Sequence, residues 1–238
     1  MTDFYNILSK TFKNNGLAEY IDKADIFFKL YNSLIDTNKL YNLTAVTDVE
    51  KVCALHFADS LSALKYIEKN ADLLDIGCGA GFPSLPIAIA RPDVRVTAVD
   101  STAKKIDFVS SFSKENALAN ITAITGRAEE LARSEMRHGF SIVTARAVAR
   151  LNVLCEIAVP LLKLGGHFIA MKGSAGKEEL REAENAIKAL GGSVTDFSEW
   201  ELVLSCETQK RTIILIEKTA VTPDIYPRAY SKILKKPL

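Results

Sequence analysis

Three alternating glycines follow a short apolar run, and this segment is the one best suited to bind a small ligand. It reads Leu74-Asp75-Ile76-Gly77-Cys78-Gly79-Ala80-Gly81-Phe82-Pro83. Glycine lets the backbone turn sharply and come into contact with a ligand. A helix beginning near Pro83 would add unpaired N–H groups and a positive dipole end, which attract an anionic group. A plain tight turn would need the same glycines, so the loop by itself indicates a site without naming the ligand.

The residues around the glycines narrow the choice of ligand. A phosphate-binding P-loop ends in Gly-Lys-Ser/Thr, and this loop contains no lysine. A dinucleotide-binding loop has the spacing G-x-G-x-x-G, whereas the third glycine here comes one residue early. Asp75 would repel a pyrophosphate but could pair with an ammonium group. We therefore expect S-adenosylmethionine as the cofactor, with Asp75, Gly77 and Gly79 in contact with it.

Asp100 closes the next apolar run, 19 residues after Gly81. An acidic side chain at this position can accept hydrogen bonds from both hydroxyls of a ribose. It could instead cap a helix that begins near Ala103. The sequence does not choose between these two roles.

Polar residues also follow the third and fourth apolar runs. Ala128 and Glu129 would place a backbone N–H and a carboxylate beside an adenine, although Glu129 taken alone would be a first-turn helix charge. Arg146 would project into the same crevice unless an ion pair holds it at the rim. Because ligands of open α/β sheets bind at the carboxyl ends of the strands, we expect these residues to converge there.

Beyond residue 72, short apolar runs alternate with helical patterns, which is typical of a parallel sheet built from crossover units. The predicted strands are Leu73–Ile76, Val94–Val99, Ile121–Thr125, Ser141–Thr144, His167–Met171, Trp200–Leu204 and Arg211–Glu217. The predicted helices between them include Lys104–Ala117, Leu151–Leu162 and Lys177–Leu190. A short polar loop joins the last two strands, which predicts an antiparallel hairpin at one edge. The fold class is therefore α/β and Rossmann-like, a seven-stranded, mostly parallel sheet with one antiparallel edge strand.

These patterns divide the chain into three parts. Residues 1–70 are predicted to form a helical N-terminal extension packed on the core, residues 71–220 the core, and residues 221–238 a basic, extended tail. Within the extension, Thr47-Asp48-Val49-Glu50 fits a capping box. A third helix should therefore start there and reach about Tyr66.

The composition is that of a globular protein and excludes a disordered or a fibrous one. Of 238 residues, 48% are hydrophobic and 25% charged, which fits a globular domain with a small appendage. Three histidines and four scattered cysteines predict neither a metal site nor a disulfide framework. We expect a cytoplasmic protein without membrane contact, because no apolar run approaches ~18 residues and no signal-peptide layout is visible. With a formal charge of +1, a nucleic-acid partner must be met by local patches such as Lys10–Lys13, Lys104–Lys105 or Lys232–Lys236.

Seven motifs, taken in order, carry a resemblance to one family. They are Tyr41-Asn42-Leu43-Thr44, His56-Phe57-x-Asp59-Ser60-Leu61, the glycine loop with Phe82-Pro83, Arg127-Ala128-Glu129-Glu130, Thr144-Ala145-Arg146-Ala147, Met171-Lys172-Gly173 and Tyr226-Pro227-Arg228. Over nearly its whole length the chain resembles the bacterial 16S ribosomal RNA guanine-N7 methyltransferases, also called glucose-inhibited division protein B. The tail departs from that family, which usually carries Lys-x-Gly-x-Pro after its Pro-Arg, whereas this chain continues Ala229-Tyr230-Ser231-Lys232-Ile233.

The resemblance implies a class I S-adenosylmethionine-dependent methyltransferase that modifies 16S rRNA, either free or within the small subunit or an assembly intermediate. We expect it to act as a monomer. The implied cofactor contacts are Gly77, Phe82, Ala128, Glu129 and Arg146. The implied RNA-facing positions are Asn42, His56, Lys172, Arg211 and Arg228.

Methylation of guanine N7 needs no general base, because N7 carries an in-plane lone pair and no proton. Catalysis can rest on placement, which supplies up to ~7–11 kcal/mol. We expect Arg146 and Lys172 to be the catalytic residues, by orienting the base or offsetting phosphate charge. His56, Asp59 and Ser60 are not read as a hydrolytic triad, because a serine inside a helix lacks an oxyanion hole. They are expected to brace the N-terminal helices against the crevice or to contact substrate.

Three other functions remain open at this point. A nicotinamide-dependent oxidoreductase would share the fold and the acidic residue after the second strand. A methyltransferase acting on another RNA or on a small molecule would share the cofactor site. A non-catalytic RNA-binding module would keep the fold as a scaffold.

Overall fold

A seven-stranded mixed sheet forms the centre of the structure, a computed structural model that describes residues 2–238. The strands are β1 (Asp72–Ile76), β2 (Arg95–Asp100), β3 (Ile121–Thr125), β4 (Phe140–Arg146), β5 (Leu162–Lys172), β6 (Gly192–Val203) and β7 (Thr208–Lys218). The α-helices are α1 (Thr2–Asn14), α2 (Ala24–Tyr41), α3 (Val49–Lys51), α4 (Asp59–Leu61), α5 (Ser84–Ala90), α6 (Ala103–Glu115), α7 (Ala128–Leu131), α8 (Leu151–Ala158), α9 (Gly176–Ala189) and α10 (Tyr230–Lys235). Three 3₁₀ segments (Ala18–Lys23, Ser62–Tyr66, Val159–Leu161) and a π-helical segment (Val52–Ala58) complete the helical structure of the described residues.

The strand order is β3-β2-β1-β4-β5-β7-β6. Strands β1 to β5 pair in parallel, and β7 is antiparallel to both β5 and β6. The fold class is therefore confirmed, and the β6–β7 hairpin closes one edge with β7 inserted between β5 and β6. Because β1 lies between β2 and β4, the strand order reverses beside β1, and a crevice opens at the carboxyl ends of these strands.

Two hydrophobic clusters cover the two faces of the sheet. One contains side chains of α1, α2, α5 and α6, and the other contains those of α8 and α9. In the first cluster, aromatic rings run from the N-terminal helices to the glycine loop: Phe12 contacts Phe27 (5.4 Å between centroids), Phe27 contacts Phe57 (5.0 Å), and Phe57 contacts Phe82 (6.1 Å). The N-terminal helices are thus packed against the loop that was expected to bind the cofactor.

The helical stretch over residues 49–66 reaches Tyr66 as expected, but its start differs from the prediction. Asp48, not Thr47, is the N-cap residue, and its carboxylate accepts a hydrogen bond from the Lys51 N–H at 3.0 Å. The capping-box assignment was therefore wrong by one residue, since an aspartate is as good an N-cap as a threonine. The π-helical turns that follow contain His56 and lead directly into Asp59.

The C-terminal tail is not extended throughout. Residues 230–235 form α10, which buries Ile233 and exposes Lys232 and Lys235. The extended prediction failed here because an apolar residue surrounded by basic ones can form one face of a short helix once a neighbouring surface covers it. Within residues 2–238, no helix combines the length and the apolar character that crossing a bilayer requires.

Candidate active site

A cavity of about 500 Å³ opens at the carboxyl ends of β1 to β4. Seven of the eight residues expected to contact the cofactor line this cavity, and the eighth, Asp75, does not reach it. The lining members of that set are Gly77, Gly79, Phe82, Asp100, Ala128, Glu129 and Arg146. The sequence prediction therefore placed the cavity correctly, although the part that each residue takes in binding stays a prediction.

The glycine loop leaves the floor of this cavity open. Gly77 has φ +68° and Gly79 has φ +58°, in the left-handed region that side chains rarely adopt. A Cβ atom on Gly77 would lie 2.6 Å from Val148 Cγ2, whereas a Cβ on Gly79 would have no atom within 4 Å. The backbone at Gly79 thus faces free space that a bound molecule can fill.

Asp75 does not reach the cavity, contrary to the expectation that it pairs with an ammonium group. It is fully buried. One carboxylate oxygen accepts hydrogen bonds from the N–H and hydroxyl groups of Ser84, and the other accepts one from Thr144 Oγ1 at 3.0 Å. Burial raises the pKa of Asp75 to about 6, while these hydrogen bonds oppose the rise. Asp75 therefore fixes the start of α5 and the end of β4 instead of contacting a ligand directly. In the strand register it lies beside Thr144 of β4.

Asp100 performs a local structural role and still borders the cavity. One carboxylate oxygen accepts a hydrogen bond from Gly79 N–H at 3.0 Å, and the other accepts one from Thr102 N–H at 2.8 Å, just before α6. Thr102, not Asp100, is the N-cap residue of α6, so Asp100 holds the turn before the helix and does not cap it. Since each carboxylate oxygen has a further lone pair, Asp100 can hold the glycine loop and accept a hydrogen bond from a ligand.

Glu129 stands at the first turn of α7, with its side chain mostly buried at 14% exposure. Its carboxylate lies 3.6 Å from Arg127 Nη1. Together with Asp100 it gives the cavity two acidic groups, on neighbouring strand ends. This charge suits a ligand that carries hydroxyl, amine or cationic groups better than it suits a phosphate.

His56 and Phe82 form one wall of the cavity. Their rings are stacked, with centroids 4.4 Å apart and planes 10° from parallel. His56 Nε2 lies 3.0 Å from Thr44 Oγ1, and the buried Nδ1 has no hydrogen-bond partner within the described residues. Burial, and secondarily the charge of Arg146, lowers the pKa of His56 to about 3. The imidazole is therefore neutral at physiological pH.

A second cavity of about 630 Å³ lies beside the first. It is lined by three of the five residues expected to face RNA, which are His56, Lys172 and Arg211. The two cavities have four lining residues in common, and these are His56, Arg146, Ala147 and Val148. Residues at the end of β4 therefore separate two adjoining spaces, one bounded by the glycine loop and the other by β5 and β7.

Asp59 connects the two sides of the second cavity. Its carboxylate accepts a hydrogen bond from Arg146 Nη1 at 2.9 Å and, through the other oxygen, from Arg211 Nε at 3.0 Å. Arg146 Nη1 also donates to the Leu55 carbonyl at 2.6 Å. The expectation that this part of the chain braces the helices against the crevice is confirmed for Asp59. The sequence left open whether Arg146 projects into the crevice or is held at the rim by an ion pair. In the structure Arg146 is paired with Asp59 and lines both cavities, in the wall between them.

Lys172 is fixed in a similar way on the opposite side. Its side chain is 7% exposed, and the ammonium group lies 2.8 Å from a Glu179 carboxylate oxygen and donates to the Ala149 carbonyl. Glu179 also accepts a hydrogen bond from Leu151 N–H at 2.8 Å. These bonds tie the residues that follow β4 to the end of β5 and the first turn of α9.

Two residues expected to face RNA line neither cavity. Asn42 is the C-cap of α2, in the left-handed conformation with φ 49°, and its neighbours Leu43 and Thr44 reach the first cavity instead. Arg228 donates from its backbone N–H and its guanidinium group to the carboxylate of the buried Glu156. Asn42 thus ends a helix and Arg228 neutralises a buried acid, and their assignment as RNA-facing positions stays a prediction.

Sequence reasoning missed several residues that border the cavities. Lys105 and Tyr230 line the first cavity, and Glu179, Gln209 and Trp200 line the second. Glu179 carried a usable signal, since it falls in the first turn of a predicted helix shortly after Lys172, and Lys105 was singled out only as part of a basic patch. Tyr230 lay in the part of the tail that departs from the family pattern, where no motif pointed to it.

The amino-acid sequence is similar to those of one family of known proteins. A family model described as GidB, rRNA small subunit methyltransferase G, matches residues 23–215. A protein from Desulfitobacterium hafniense (strain Y51) named Ribosomal RNA small subunit methyltransferase G is 45% identical over 218 residues, which cover 91% of this chain and 90% of that protein. A protein of the same name from Clostridium botulinum (strain Alaska E43 / Type E3) is 38% identical over 239 residues, which cover 99% of each chain.

Solved structures agree on the fold. A SAM-dependent methyltransferase from Aquifex aeolicus superimposes with a TM-score of 0.55 at 13% identity, covering 74% of this chain and 97% of that one. The geranyl diphosphate C-methyltransferase from Streptomyces coelicolor A3(2) gives a TM-score of 0.53 at 12% identity, covering 68% and 78%. At such low identity these likenesses establish the fold alone.

Proposed function

The chain belongs to the rRNA small subunit methyltransferase G family, and from this premise we propose that it transfers a methyl group from S-adenosylmethionine to N7 of a guanine in 16S ribosomal RNA. The family expected from the motifs is thereby confirmed. The observation that carries the proposal is the pair of adjoining cavities, which share a wall formed by His56, Arg146, Ala147 and Val148. A group transfer needs a donor and an acceptor on the two sides of such a boundary.

The first cavity fits the cofactor. Its size lies within the range of about 300–1,000 Å³ that small-molecule sites occupy. Gly79 would admit the ligand against the backbone, Asp100 would accept hydrogen bonds from ribose hydroxyls, and Glu129 would lie beside the adenine. When bound, the cofactor supplies an electrophilic methyl group on a sulfonium ion. The two carboxylates favour this positive charge.

The second cavity fits the acceptor base. Asp59 is shared by Arg146 and Arg211, whereas Glu179 pairs with Lys172, so basic donors outnumber the carboxylates in this cavity. Such a surface suits the acceptor atoms on the major-groove edge of a guanine. Trp200 also lines this cavity, and its indole N–H is buried without a hydrogen-bond partner among the described residues. A guanine that enters here would have to leave its stack or present its major-groove edge, on which N7 lies.

The protein's own side chains would then act by positioning the guanine against the methyl group. Arg146 would be held by Asp59 at the boundary of the two cavities, where its guanidinium group can orient the base by donating to O6 and leave the N7 lone pair free to accept the methyl group. Lys172 would stiffen the loop after β4 through the Ala149 carbonyl. No residue has to accept a proton, and the low pKa of His56 is consistent with a packing role. Placement of this kind contributes up to ~7–11 kcal/mol to a bimolecular reaction.

We further propose that the protein acts as a monomer in the cytoplasm, where its rRNA substrate is made and assembled. Free 16S rRNA, the small subunit and an assembly intermediate are the candidate forms of the substrate. Local basic patches would supply the contacts to phosphate, since the net charge of +1 gives little overall attraction.

The proposal is tested by incubating the protein with methyl-labelled cofactor and with rRNA from a strain that lacks the gene. Three forms of substrate should be compared: extracted 16S rRNA, purified small subunits and precursor particles. The expected product is N7-methylguanosine in 16S rRNA, identified by mass spectrometry of nuclease digests. Label on another RNA, on a small molecule or on another atom would refute the proposed acceptor, and nicotinamide binding without cofactor binding would refute the reaction class.

A further inference from the structure

The C-terminal segment after β7 is fastened along its length to the body of the protein. Arg137 donates to the carbonyl oxygens of Thr222 (3.0 Å) and Tyr226 (2.8 Å), and its side chain is 17% exposed. Arg133 donates to the Pro227 carbonyl. Thr222 is buried and donates from its hydroxyl group to the Leu190 carbonyl at 2.7 Å. Residues 222–228, which we name the strap, are therefore part of the folded structure.

The end of the strap is fixed to α8 by a buried ion pair. Glu156 is fully buried, and its carboxylate receives the Arg228 backbone N–H at 2.7 Å and the guanidinium group at 2.6–2.8 Å. Leu154 and Ile157, on either side of Glu156 in α8, line the first cavity. The helix that forms a wall of the cavity is thus also the helix that anchors the strap.

The strap leads into α10, and the first residue of that helix reaches the first cavity. Tyr230 lines it together with Leu154 and Ile157, and α10 packs against α8 with Ile233 fully buried. Tyr230 belongs to the same hydrophobic cluster as these two residues, Val99 and Ala128. Phe82 and Leu43, at the other side of the cavity, belong to the opposite cluster.

From this arrangement we propose that Tyr230 is a cofactor-binding residue that contacts the adenosyl half of the ligand, and that the strap exists to hold it there. The inference rests on the proposed function, since it names a further contact of the same cofactor. The apolar residues that line this cavity with Tyr230 lie near the end of β2 (Val99), after β3 (Ala128) and after β4 (Leu154 and Ile157), where an adenine is expected. An aromatic ring beside aliphatic side chains presents a surface that a flat base can cover, while the glycine loop and the acidic groups remain for the polar half.

Two ligands separate the halves of the cofactor: S-adenosylhomocysteine, and methylthioadenosine, which lacks the amino-acid end. Titration calorimetry with the full-length chain should show that Tyr230→Ala weakens the binding of both by about the same factor, roughly tenfold, in line with aromatic contacts to bases. Tyr230→Phe keeps the ring and should bind within about twofold of the original protein. Leu234→Ala is the matched control on α10, because Leu234 is exposed at 53% and lines neither cavity.

If Tyr230→Ala does not fold, as judged by thermal unfolding, Tyr230→Leu is measured in its place and should lie between the alanine and phenylalanine variants. Unchanged affinity of a folded alanine or leucine variant for both ligands would overturn the inference. A loss confined to S-adenosylhomocysteine would overturn it as well, because it would place Tyr230 beside the amino-acid half. If the unsubstituted protein bound neither ligand, the proposed function itself would fail together with this inference.

Discussion

Asp59 and Arg146 form an ion pair, with 2.9 Å between the carboxylate oxygen and the guanidinium nitrogen, and the other oxygen of Asp59 is bound by Arg211 at 3.0 Å. The aspartate comes from the N-terminal helical region and the two arginines from β4 and β7. One carboxylate therefore connects the helical extension to the wall between the two cavities. The orientation of Arg146 depends on a residue that lies about 90 positions away in the sequence.

Asp59→Asn should reduce both stability and methyl transfer. The amide keeps one acceptor oxygen but places an NH₂ group against the second arginine, and breaking a mostly buried pair costs about 3 kcal/mol. We expect the free energy of unfolding in urea to fall by about this amount and kcat to fall at least about tenfold, with little change in cofactor affinity. Asp36→Asn is the control, because its ion pair with Lys39 is exposed and worth well under 1 kcal/mol. Equal behaviour of the two variants would show that the Asp59 bridge has no positioning role.

Gly77→Ala should lose cofactor affinity as well as stability. The new Cβ would occupy a left-handed backbone position, and it would also meet Val148 at 2.6 Å. Gly165→Ala separates the two effects, because Gly165 has a similar φ of +75° with no atom within 4 Å and lies in neither cavity. Each substitution should destabilise the protein by about 1 kcal/mol or more, measured by denaturant unfolding. Only Gly77→Ala should weaken cofactor binding in calorimetry, and a similar loss in Gly165→Ala would argue against a local effect at the loop.

His56 should make the protein less stable in mild acid. Its pKa is lowered to about 3 in the folded protein, so between pH 3 and about 6.5 the unfolded chain binds a proton that the folded chain excludes. The stability that the neutral ring provides is complete above about pH 6.5 and is lost progressively as pH falls toward 3. We expect His56→Phe to remove up to about 2 kcal/mol of the pH dependence of the unfolding free energy between pH 7 and pH 5.

The measurement for His56 is urea unfolding of both proteins at several pH values, compared as a difference at each pH. This difference cancels the contributions of other titrating groups, such as the buried Asp75. Parallel stability curves for the two proteins from pH 7 to pH 5 would contradict the assignment of a neutral, buried His56.

Binding to rRNA should weaken as salt increases, and the lysines of α10 should account for part of the dependence. Lys232 and Lys235 are exposed on this helix, and Lys236, the residue that follows it, is exposed as well. Replacing all three by alanine should reduce the slope of log Kobs against log salt by about 2, because each phosphate contact contributes about 0.7–0.9. Lys69→Ala with Lys188→Ala is the control, since these exposed residues precede β1 and β6 at the opposite end of the sheet. An unchanged slope in the triple variant would exclude α10 from the RNA-binding surface.

The sequence predicted those parts of the fold and site that depend on local pattern. The glycine loop, Asp100 and Arg146 were located correctly, because short apolar runs mark strands and parallel strands end at one edge of a sheet. Asp75 was misjudged, since its position before the glycines does not reveal that Ser84 and Thr144 occupy its oxygens. The ion pair of Arg228 could not be foreseen for the same reason: its partner Glu156 is 72 residues away and has no sequence signal.

The arrangement of the tail could not be predicted either. A segment rich in Pro and Lys indicates an exposed chain, and the bonds that fasten it come from Arg133 and Arg137, which belong to the loop before β4. Tyr230 follows the strap that these distant contacts hold, and it lines the first cavity. Contacts of this range depend on tertiary packing, which a single sequence does not display.

The roles of the two cavities are tested most directly by a crystal structure of the protein with S-adenosylhomocysteine. We expect the ligand in the first cavity, with its ribose at Asp100, its adenine between Ala128 and Tyr230, and its sulfur directed toward the wall formed by Arg146 and Val148. A ligand found outside this cavity, or one whose sulfur faces away from the second cavity, would contradict these roles.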